Sequence, residues 1–381
     1  MSQRTRFVCY QPKTILNKSK RADHWFWTRY SAYPYLGCQH GCAFCYCRER
    51  KYIPHKPKDD EAKYDFELDE FSHLIKIKEN ARQLLHKALG HVPVDMVFTG
   101  DYQPVERKFK LSRQILEVCL ELGFPVFVLT RSPLVLRDLD LFKAINQRSR
   151  AVVAFSVIST PDSPNTMHAS QMEGLAPAAE NRFKAMEEFA NAGILTGTVA
   201  MPLLPGLCDD DRNLEGLVRW TARHGGKFIL GGGLTLADQQ KEFFMRILRQ
   251  DHPDLISLYT RWYPPGSYSQ AQPWSKVGLR IREYCQREDI SDRMPRPVIP
   301  GEKRRLNKRI VEQLANKIYT LELEQGNPNR IWSYRKAAWA VEDLEQDIGL
   351  VYRTMGVKGL ESIPNVSAQI AMEIESILRT E

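Results

Sequence analysis

The chain has 381 residues, 43% of them hydrophobic and 26% charged, with a formal net charge of +8. That length suits one large domain with a smaller one beside it, and the composition excludes a disordered or low-complexity chain. No apolar run nears the ~20 residues that span a bilayer, and the first twenty residues lack the apolar core of an export signal, so no membrane partner is expected and the expected location is the cytoplasm.

Residues 1–30 read as a basic, aromatic N-terminal arm. Residues 1–60 carry twelve Lys and Arg against four acids, which accounts for the whole net charge. Trp25, Phe26, Trp27, Tyr30, Tyr33 and Tyr35 are interleaved with these cations. Such a segment either holds phosphates and stacks on bases, or is a solvated arm whose aromatic rings pack on the domain behind it.

Residues 31–263 alternate apolar, β-rich runs with amphipathic stretches of helical period. Strands are predicted at 94–99, 126–130, 151–158, 194–201 and 227–231, with helices at 111–122, 180–192 and 213–224 between them. A strand at 33–36 opens the series and one at 255–259 closes it. Strands that are apolar throughout and separated by helices imply a parallel sheet covered on both faces. The expected fold is α/β, a partial (β/α)6 barrel whose active site lies in the loops after the strands. Residues 264–305, rich in Pro and Gly, read as a connecting segment with one helix near 277–288. Residues 306–381 read as a small all-α module, with Ile310, Leu314, Ile318 and Leu321 on one helical face.

Four of the eight cysteines fall within ten residues, at 38, 42, 45 and 47. Thiols so clustered in a chain expected to stay reduced point to metal ligation rather than to disulfides. The segment is Tyr33-Pro-Tyr-Leu-Gly-Cys38-Gln-His-Gly-Cys42-Ala-Phe-Cys45-Tyr-Cys47. Three thiolates, from Cys38, Cys42 and Cys45, can hold three irons of a cubane cluster and leave the fourth iron open. Gly37 and Gly41 supply backbone conformations that let the sulfurs converge. Zinc, with Cys47 or His40 as a fourth ligand, is the alternative. Zinc sites usually join one close cysteine pair to a second pair, and Cys9, Cys119, Cys208 and Cys285 form none, so the spacing favours the cluster.

This segment resembles the radical S-adenosylmethionine (SAM) superfamily, and within it the spore photoproduct lyase-like branch, also called DNA repair photolyase-like. The resemblance runs from about residue 33 to 259 and rests on the cysteine motif, on Thr99-Gly-Asp-Tyr-Gln-Pro-Val-Glu106 and on Leu129-Thr-Arg-Ser-Pro-Leu-Val-Leu-Arg-Asp138. It continues through Met172-Glu-Gly-Leu-Ala-Pro-Ala-Ala-Glu-Asn-Arg182 and Met201-Pro-Leu-Leu-Pro-Gly206. It implies a [4Fe–4S] cluster on Cys38, Cys42 and Cys45 and SAM as cofactor. It places Phe44 along the adenine, Thr99, Gly100 and Asp101 at the methionine amino group, Ser156 at the ribose, and Glu173 and Arg182 at the charged methionine end. Two departures stand out: Gly100-Asp101 replaces the branch's Asp-Pro before Tyr-Gln-Pro, and Gly174 replaces the proline after Glu173. From the residues alone, Gly100 need only permit a turn, Ser156 need only fit a packed interior, and Glu173 and Arg182 need only form a surface ion pair. Lyase relatives complete their reaction with a cysteine hydrogen donor, for which Cys208 is the candidate and Cys47 the second.

The module at 306–381 resembles the N-terminal helix-hairpin-helix domain of family X DNA polymerases, through Asn307-Lys-Arg-Ile, Asn327-Pro-Asn-Arg-Ile-Trp-Ser-Tyr-Arg-Lys-Ala-Ala338 and Gly359-Leu-Glu-Ser-Ile-Pro-Asn-Val-Ser-Ala-Gln-Ile-Ala371. The resemblance implies DNA binding, with Arg335 and Lys336 as phosphate contacts. Both glycines of the family's hairpin are replaced, in Pro364-Asn365-Val366-Ser367, and Glu373 occupies the position of the Schiff-base lysine. The module holds nine Lys and Arg against eleven acids, a balance unsuited to strong nonspecific DNA binding. The combined expectation is a lyase-like radical SAM enzyme acting on DNA, with an electron donor such as a flavodoxin or ferredoxin. The alternatives are the same chemistry on RNA, protein or a small metabolite, and a nucleic-acid-binding protein whose iron–sulfur or zinc site is structural.

Overall fold

The structure is a computed structural model that describes residues 5–53, 69–100, 102–266, 268 and 274–380. Its strands are β1 (Arg6–Tyr10), β2 (Leu16–Lys18), β3 (Tyr30–Ala32), β4 (Tyr35–Leu36), β5 (Leu74–Lys78), β6 (Val97–Thr99), β7 (Val126–Thr130), β8 (Ala151–Ser156), β9 (Leu195–Leu203) and β10 (Phe228–Gly233). Seven of them form one sheet in the order β10-β9-β8-β7-β6-β3-β2. The pairings from β3 to β10 are all parallel, and only β2 runs antiparallel, against β3. The order is linear, with β2 and β10 at its edges.

Helices Leu111–Leu122, Leu139–Arg148, Ala179–Asn191 and Asp211–Arg223 link successive strands from β6 onward. Alternate residues divide the strands between two apolar layers, as a pleated sheet requires. Val126, Val128, Val153, Phe155 and Ile229 pack with the helices. Phe127, Val152, Ala154, Val199, Phe228 and Leu230 belong to a second layer with Trp27, Met96 and Met294 and with Ile310, Leu314 and Ile318 of helix Arg305–Leu323.

The aromatic arm is an internal packing element. Asp23 folds it by accepting from the amides of Trp25, Phe26 and Thr28 at 2.8, 2.7 and 3.0 Å. Phe26 stacks on Phe127 with ring centroids 5.0 Å apart, and the buried Trp27 indole donates to the Met294 carbonyl at 2.9 Å. Trp25 lies edge-on to Tyr319. These rings are committed to the protein, so of the two readings of the arm the packing one holds for them.

Two sequence expectations are corrected at the ends of the strand series. The opening strand of the large sheet is β3, three residues before the predicted one. The predicted stretch contributes β4 instead, in a separate three-stranded sheet of order β1-β5-β4. The predicted closing strand at 255–259 is helical, within Pro253–Leu255 and Ile256–Trp262. A five-residue apolar run has no period of its own. Here Pro253 opens a helical turn, and Tyr259 stacks on Tyr263 one turn further along.

The last four helices, Arg305–Leu323, Pro328–Asp343, Ile348–Glu361 and Ala368–Leu378, pack chiefly as two consecutive pairs. The third is interrupted at Gly356. In the turn before the fourth, Asn365 takes a left-handed φ of 63° and Ser367 caps the helix by accepting from Ile370 N. Among the described residues no helix is long and apolar enough to cross a membrane.

Candidate active site

The cysteine loop leaves β4 and is held by contacts from distant parts of the chain. Gly37 has φ of 81°, and a Cβ there would stand 2.5 Å from the Leu74 carbonyl oxygen, so only glycine fits between the loop and β5. The side-chain amides of Gln39 and Gln103 lock the loop to the segment after β6. Gln103 accepts from Gln39 N at 2.9 Å and donates to the Gly37 carbonyl at 3.0 Å, while Gln39 accepts from Val105 N at 2.6 Å. The buried Arg48 guanidinium donates to the carbonyls of Cys42 and Gly41, both at 2.9 Å, and is itself fixed by Asp69 and Ser72. Gln240 donates to the Phe44 carbonyl at 3.0 Å.

From the other side, Ala43 N donates to Met172 O at 2.9 Å, Leu175 N to His40 O at 2.7 Å, and the Cys42 thiol to Glu173 O at 3.3 Å. Gly174, where the branch carries proline, has φ of 62° and lies so close that a Cβ would meet His40 O at 2.4 Å. Proline, locked near −65°, cannot adopt that conformation. This departure is therefore required by how the loop is seated.

Cys38, Cys42 and Cys45 all line one cavity of about 390 Å³. Its wall is completed by residues at or just past the C-terminal ends of the parallel strands: Gly100 after β6, Arg131 after β7, Ser156 on β8, Met201 on β9 and Gly233 to Thr235 at β10. Phe26 of the arm and Phe98 also line it. Burial pushes the Cys42 thiol up to about 11, whereas a hydrogen bond with the Cys47 thiol draws Cys45 down to about 7 against its own burial. His40, also in the wall, is pushed down to about 4 by burial and by Arg131 and Arg182, so its imidazole is neutral at pH 7.

Glu173 and Arg182 are buried, not a surface pair. Arg182 grips the carboxylate with two bonds of 2.7 and 2.8 Å and donates to Ser156 O at 2.9 Å. Burial works to raise the Glu173 carboxyl, but Arg182 and Arg131 outweigh it and hold it below its ordinary range. Neither Glu173 nor Arg182 lines the cavity; the group that does is Arg131, which donates to Glu173 and lies 5.0 Å over the Phe44 ring. Burial opposes the charge of Arg131, yet the acidic groups around it, Cys42 and Glu173 first, strengthen its hold on the proton.

Phe44, Gly100 and Ser156 share the cavity with the three cysteines. A Cβ on Gly100 would stand 2.6 Å from Leu129 O, so its place in the wall depends on having none. Thr99 is buried behind the wall, its hydroxyl without a partner among the described residues, and Asp101 lies outside the described residues. Cys208 is wholly buried among apolar side chains and away from the cavity wall, its thiol pushed well up by burial. Arg335 pairs with Glu322 at 2.6 Å on helix Pro328–Asp343, which also carries Lys336, and neither residue lines the cavity. Sequence reasoning assigned no role to Arg131 or Gln103. The only available signal was their place directly after a strand, within the quoted motifs.

A mainly parallel α/β sheet with three loop cysteines at the C-terminal ends of its strands defines a class of enzyme in which a cofactor is held at the sheet's mouth. Residues 33–218 match the Radical SAM superfamily, and the chain carries a radical SAM domain. An uncharacterised protein of Mycobacterium tuberculosis is 27% identical over 248 residues, 63% of this chain and 68% of its own. One of Methanocaldococcus jannaschii is 28% identical over 213 residues, 55% of this chain and 72% of its own. Among solved structures, a spore photoproduct lyase variant with bound AdoMet and dinucleoside spore photoproduct superposes with a TM-score of 0.52 at 14% identity, over 76% of this chain and 82% of that one. A second spore photoproduct lyase variant gives 0.50 at 15% identity, over 74% and 79%. At such identity the likeness is one of fold.

The superfamily implies SAM and an iron–sulfur cluster, and the residues present fit the cluster. Three thiols border one cavity beside the half-buried Arg131 guanidinium, which suits an anionic cluster held by one sulfur per iron. Among the described residues no three His, Cys, Asp or Glu side chains converge as ligands of a single metal ion.

Proposed function

We propose that this chain is a radical SAM enzyme that holds a [4Fe–4S] cluster on Cys38, Cys42 and Cys45 and acts on DNA, reversing or processing a lesion in the manner of a lyase. The observation that carries the reading is the meeting of those three cysteines with Phe44, Arg131 and Ser156 around one cavity at the strands' C-terminal ends. When bound, the cluster and SAM supply reductive cleavage of the sulfonium to a 5′-deoxyadenosyl radical, which takes a hydrogen atom from the substrate.

The chain's own residues bind and orient. Arg131, fixed by Glu173, presents a cation to the SAM carboxylate, and Glu173 and Arg182 act through it as positioning residues. Phe44 lies along the adenine and Ser156 at the ribose. The Phe26 and Phe98 rings close the sheet side of the cavity against water. DNA as substrate is supported by the basic character of residues 1–60 and by the dinucleoside photoproduct bound in the spore photoproduct lyase of similar fold.

Anaerobic reconstitution with iron and sulfide, followed by SAM and a reductant, tests the chemistry. A coloured chain holding about four irons and forming 5′-deoxyadenosine is expected, with both lost in Cys42→Ala. A colourless chain, or undiminished product from Cys42→Ala, defeats the reading. Labelled hydrogen passing from damaged DNA into 5′-deoxyadenosine tests the substrate separately; transfer from RNA, a peptide or a metabolite and not from DNA overturns that part alone.

A further inference from the structure

A second cavity, of about 660 Å³, lies beneath the opposite ends of the strands. Its ceiling is the start of β8 and β9, at Ala151, Val152 and Leu195, and one side is the proline-rich segment 295–301. The other side is the first turns of helix Arg305–Leu323, so the cavity sits on the seam between the sheet and the helical module. Its size falls within the range of small-molecule sites.

Its charge is one-sided. Four arginines line it, Arg150, Arg296, Arg305 and Arg309, against the single carboxylate of Glu302. Glu302 is committed to Lys308 at 2.7 Å, Arg296 to Glu342 through two bonds of 2.6 Å, and Arg309 to Glu312 at 2.8 Å. Arg150 stands apart. It makes only long bonds to the carbonyls of Asn146 and Ser149, 3.5 and 3.3 Å, with no carboxylate in ion-pairing reach among the described residues. The first turn of the 19-residue helix opens on the same space, and its N-cap, Arg304, makes no side-chain capping bond. The partial positive charge of the helix start therefore adds to the arginines. Val298 and Ile299 give the cavity an apolar side.

We propose that this cavity binds a phosphorylated ligand of nucleotide size, its phosphates between Arg150 and the helix start and its body against Val298 and Ile299. Guanidinium forks match phosphate oxygens two at a time. A ligand so placed bridges the sheet and the helical module. The site is remote from the cysteine cavity and goes beyond the radical reading: binding here survives the failure of that reading, and the reverse.

The test uses the full chain without reductant, probed by calorimetry and thermal shift with inorganic phosphate, ATP and a short single-stranded oligonucleotide, each with SAM present to fill the cysteine cavity. Saturable binding of ATP, tighter than that of phosphate, is expected. Arg150→Ala is expected to weaken it about tenfold, as loss of one charge-assisted contact does, and Arg150→Lys to recover part of that. Arg305→Ala, at the exposed helix end, serves as the second variant should Arg150→Ala fold poorly. Binding of the oligonucleotide in place of ATP, with the same sensitivity to Arg150, supports the site and assigns the phosphate to nucleic acid. No binding of any phosphate compound, or unchanged affinity in both variants, overturns the proposal.

Discussion

Arg48→Met removes the group that fixes the cysteine loop while keeping most of its volume. Arg48 is 1% exposed, with its guanidinium 3.8 Å over the Phe243 ring and 4.7 Å over Phe71. Methionine can occupy that apolar slot. It leaves the Gly41 and Cys42 carbonyls without their donor and Asp69 without its cation at 2.5 Å. Removing one partner of a buried ion pair costs about 3–5 kcal/mol. Asp69 keeps 19% of its side-chain surface in contact with solvent, which places the cost near the lower bound, about 3 kcal/mol. Against a typical stability of about 5–15 kcal/mol that is a large loss, concentrated at the backbone of Cys42, one of the three proposed cluster ligands. Urea unfolding of the cluster-free chain is expected to show it, and reconstitution is expected to yield less iron per chain. Arg48→Lys keeps the charge without the fork and should fall between. If Arg48→Met unfolds within about 0.5 kcal/mol of the parent, the range of an ordinary surface change, and takes up a full complement of iron, the arginine does not hold the loop.

Gly174→Ala forces a Cβ to 2.4 Å from His40 O at a left-handed φ; strain of about 1–3 kcal/mol follows, read as a fall in Tm, and an unchanged Tm refutes the close seating. Asn307→Ala removes a buried amide that donates to Gln346 O and accepts from Ile348 N, both at 2.9 Å; about 2 kcal/mol should be lost in urea unfolding, and a neutral result would show that these helices do not depend on it. His24 is pushed down from 6.5 to about 4 by burial, with Arg296 and Arg293 adding to the effect. The unfolded chain therefore binds a proton that the folded chain refuses between those pH values, so stability is full above 6.5 and falls as pH drops toward 4, by up to roughly 3 kcal/mol. His40 is depressed to about 4 in the same way, so His24→Gln should lessen the slope between pH 7 and 5 by about half and leave the His40 share, and an identical slope would show that His24 does not contribute.

The strands of the sheet's middle were legible because both faces are buried. Val126–Thr130 is apolar along nearly its whole length, and only a covered parallel strand has reason to be so. The opening strand β3 was not, because Tyr30-Ser31-Ala32 is too short to show a period and Ser31 interrupts it. The cysteine spacing pointed to the cavity that Cys38, Cys42 and Cys45 line, since three cysteines within eight residues need no tertiary information. What surrounds them does. Arg48 meets Phe243 and Gln240 meets Phe44 across nearly two hundred residues, and no local pattern encodes such a meeting. Glu173 and Arg182, nine residues apart, read from the residues alone as a surface ion pair and from the resemblance as contacts to the charged methionine end; they are buried, where the left-handed turn at Gly174 brings the segment against the cysteine loop. Arg131 became visible only once that pair was found to point it at the cavity.

The plug made by residues 23–28 has a consequence for synthesis. Trp27 finds its carbonyl acceptor at Met294, and Trp25 its neighbouring ring at Tyr319. At about 5–20 residues per second, the interval between translation of the arm and of these partners is roughly 15–60 seconds. During that interval the emerging polypeptide displays the indoles and then, as each strand is made, the residues of β7 to β10 that later pack against helix Arg305–Leu323, a long window for capture by a holdase. A nascent chain stalled before residue 294 should stay bound to such a chaperone, and release should come only when the helical module clears the ribosome.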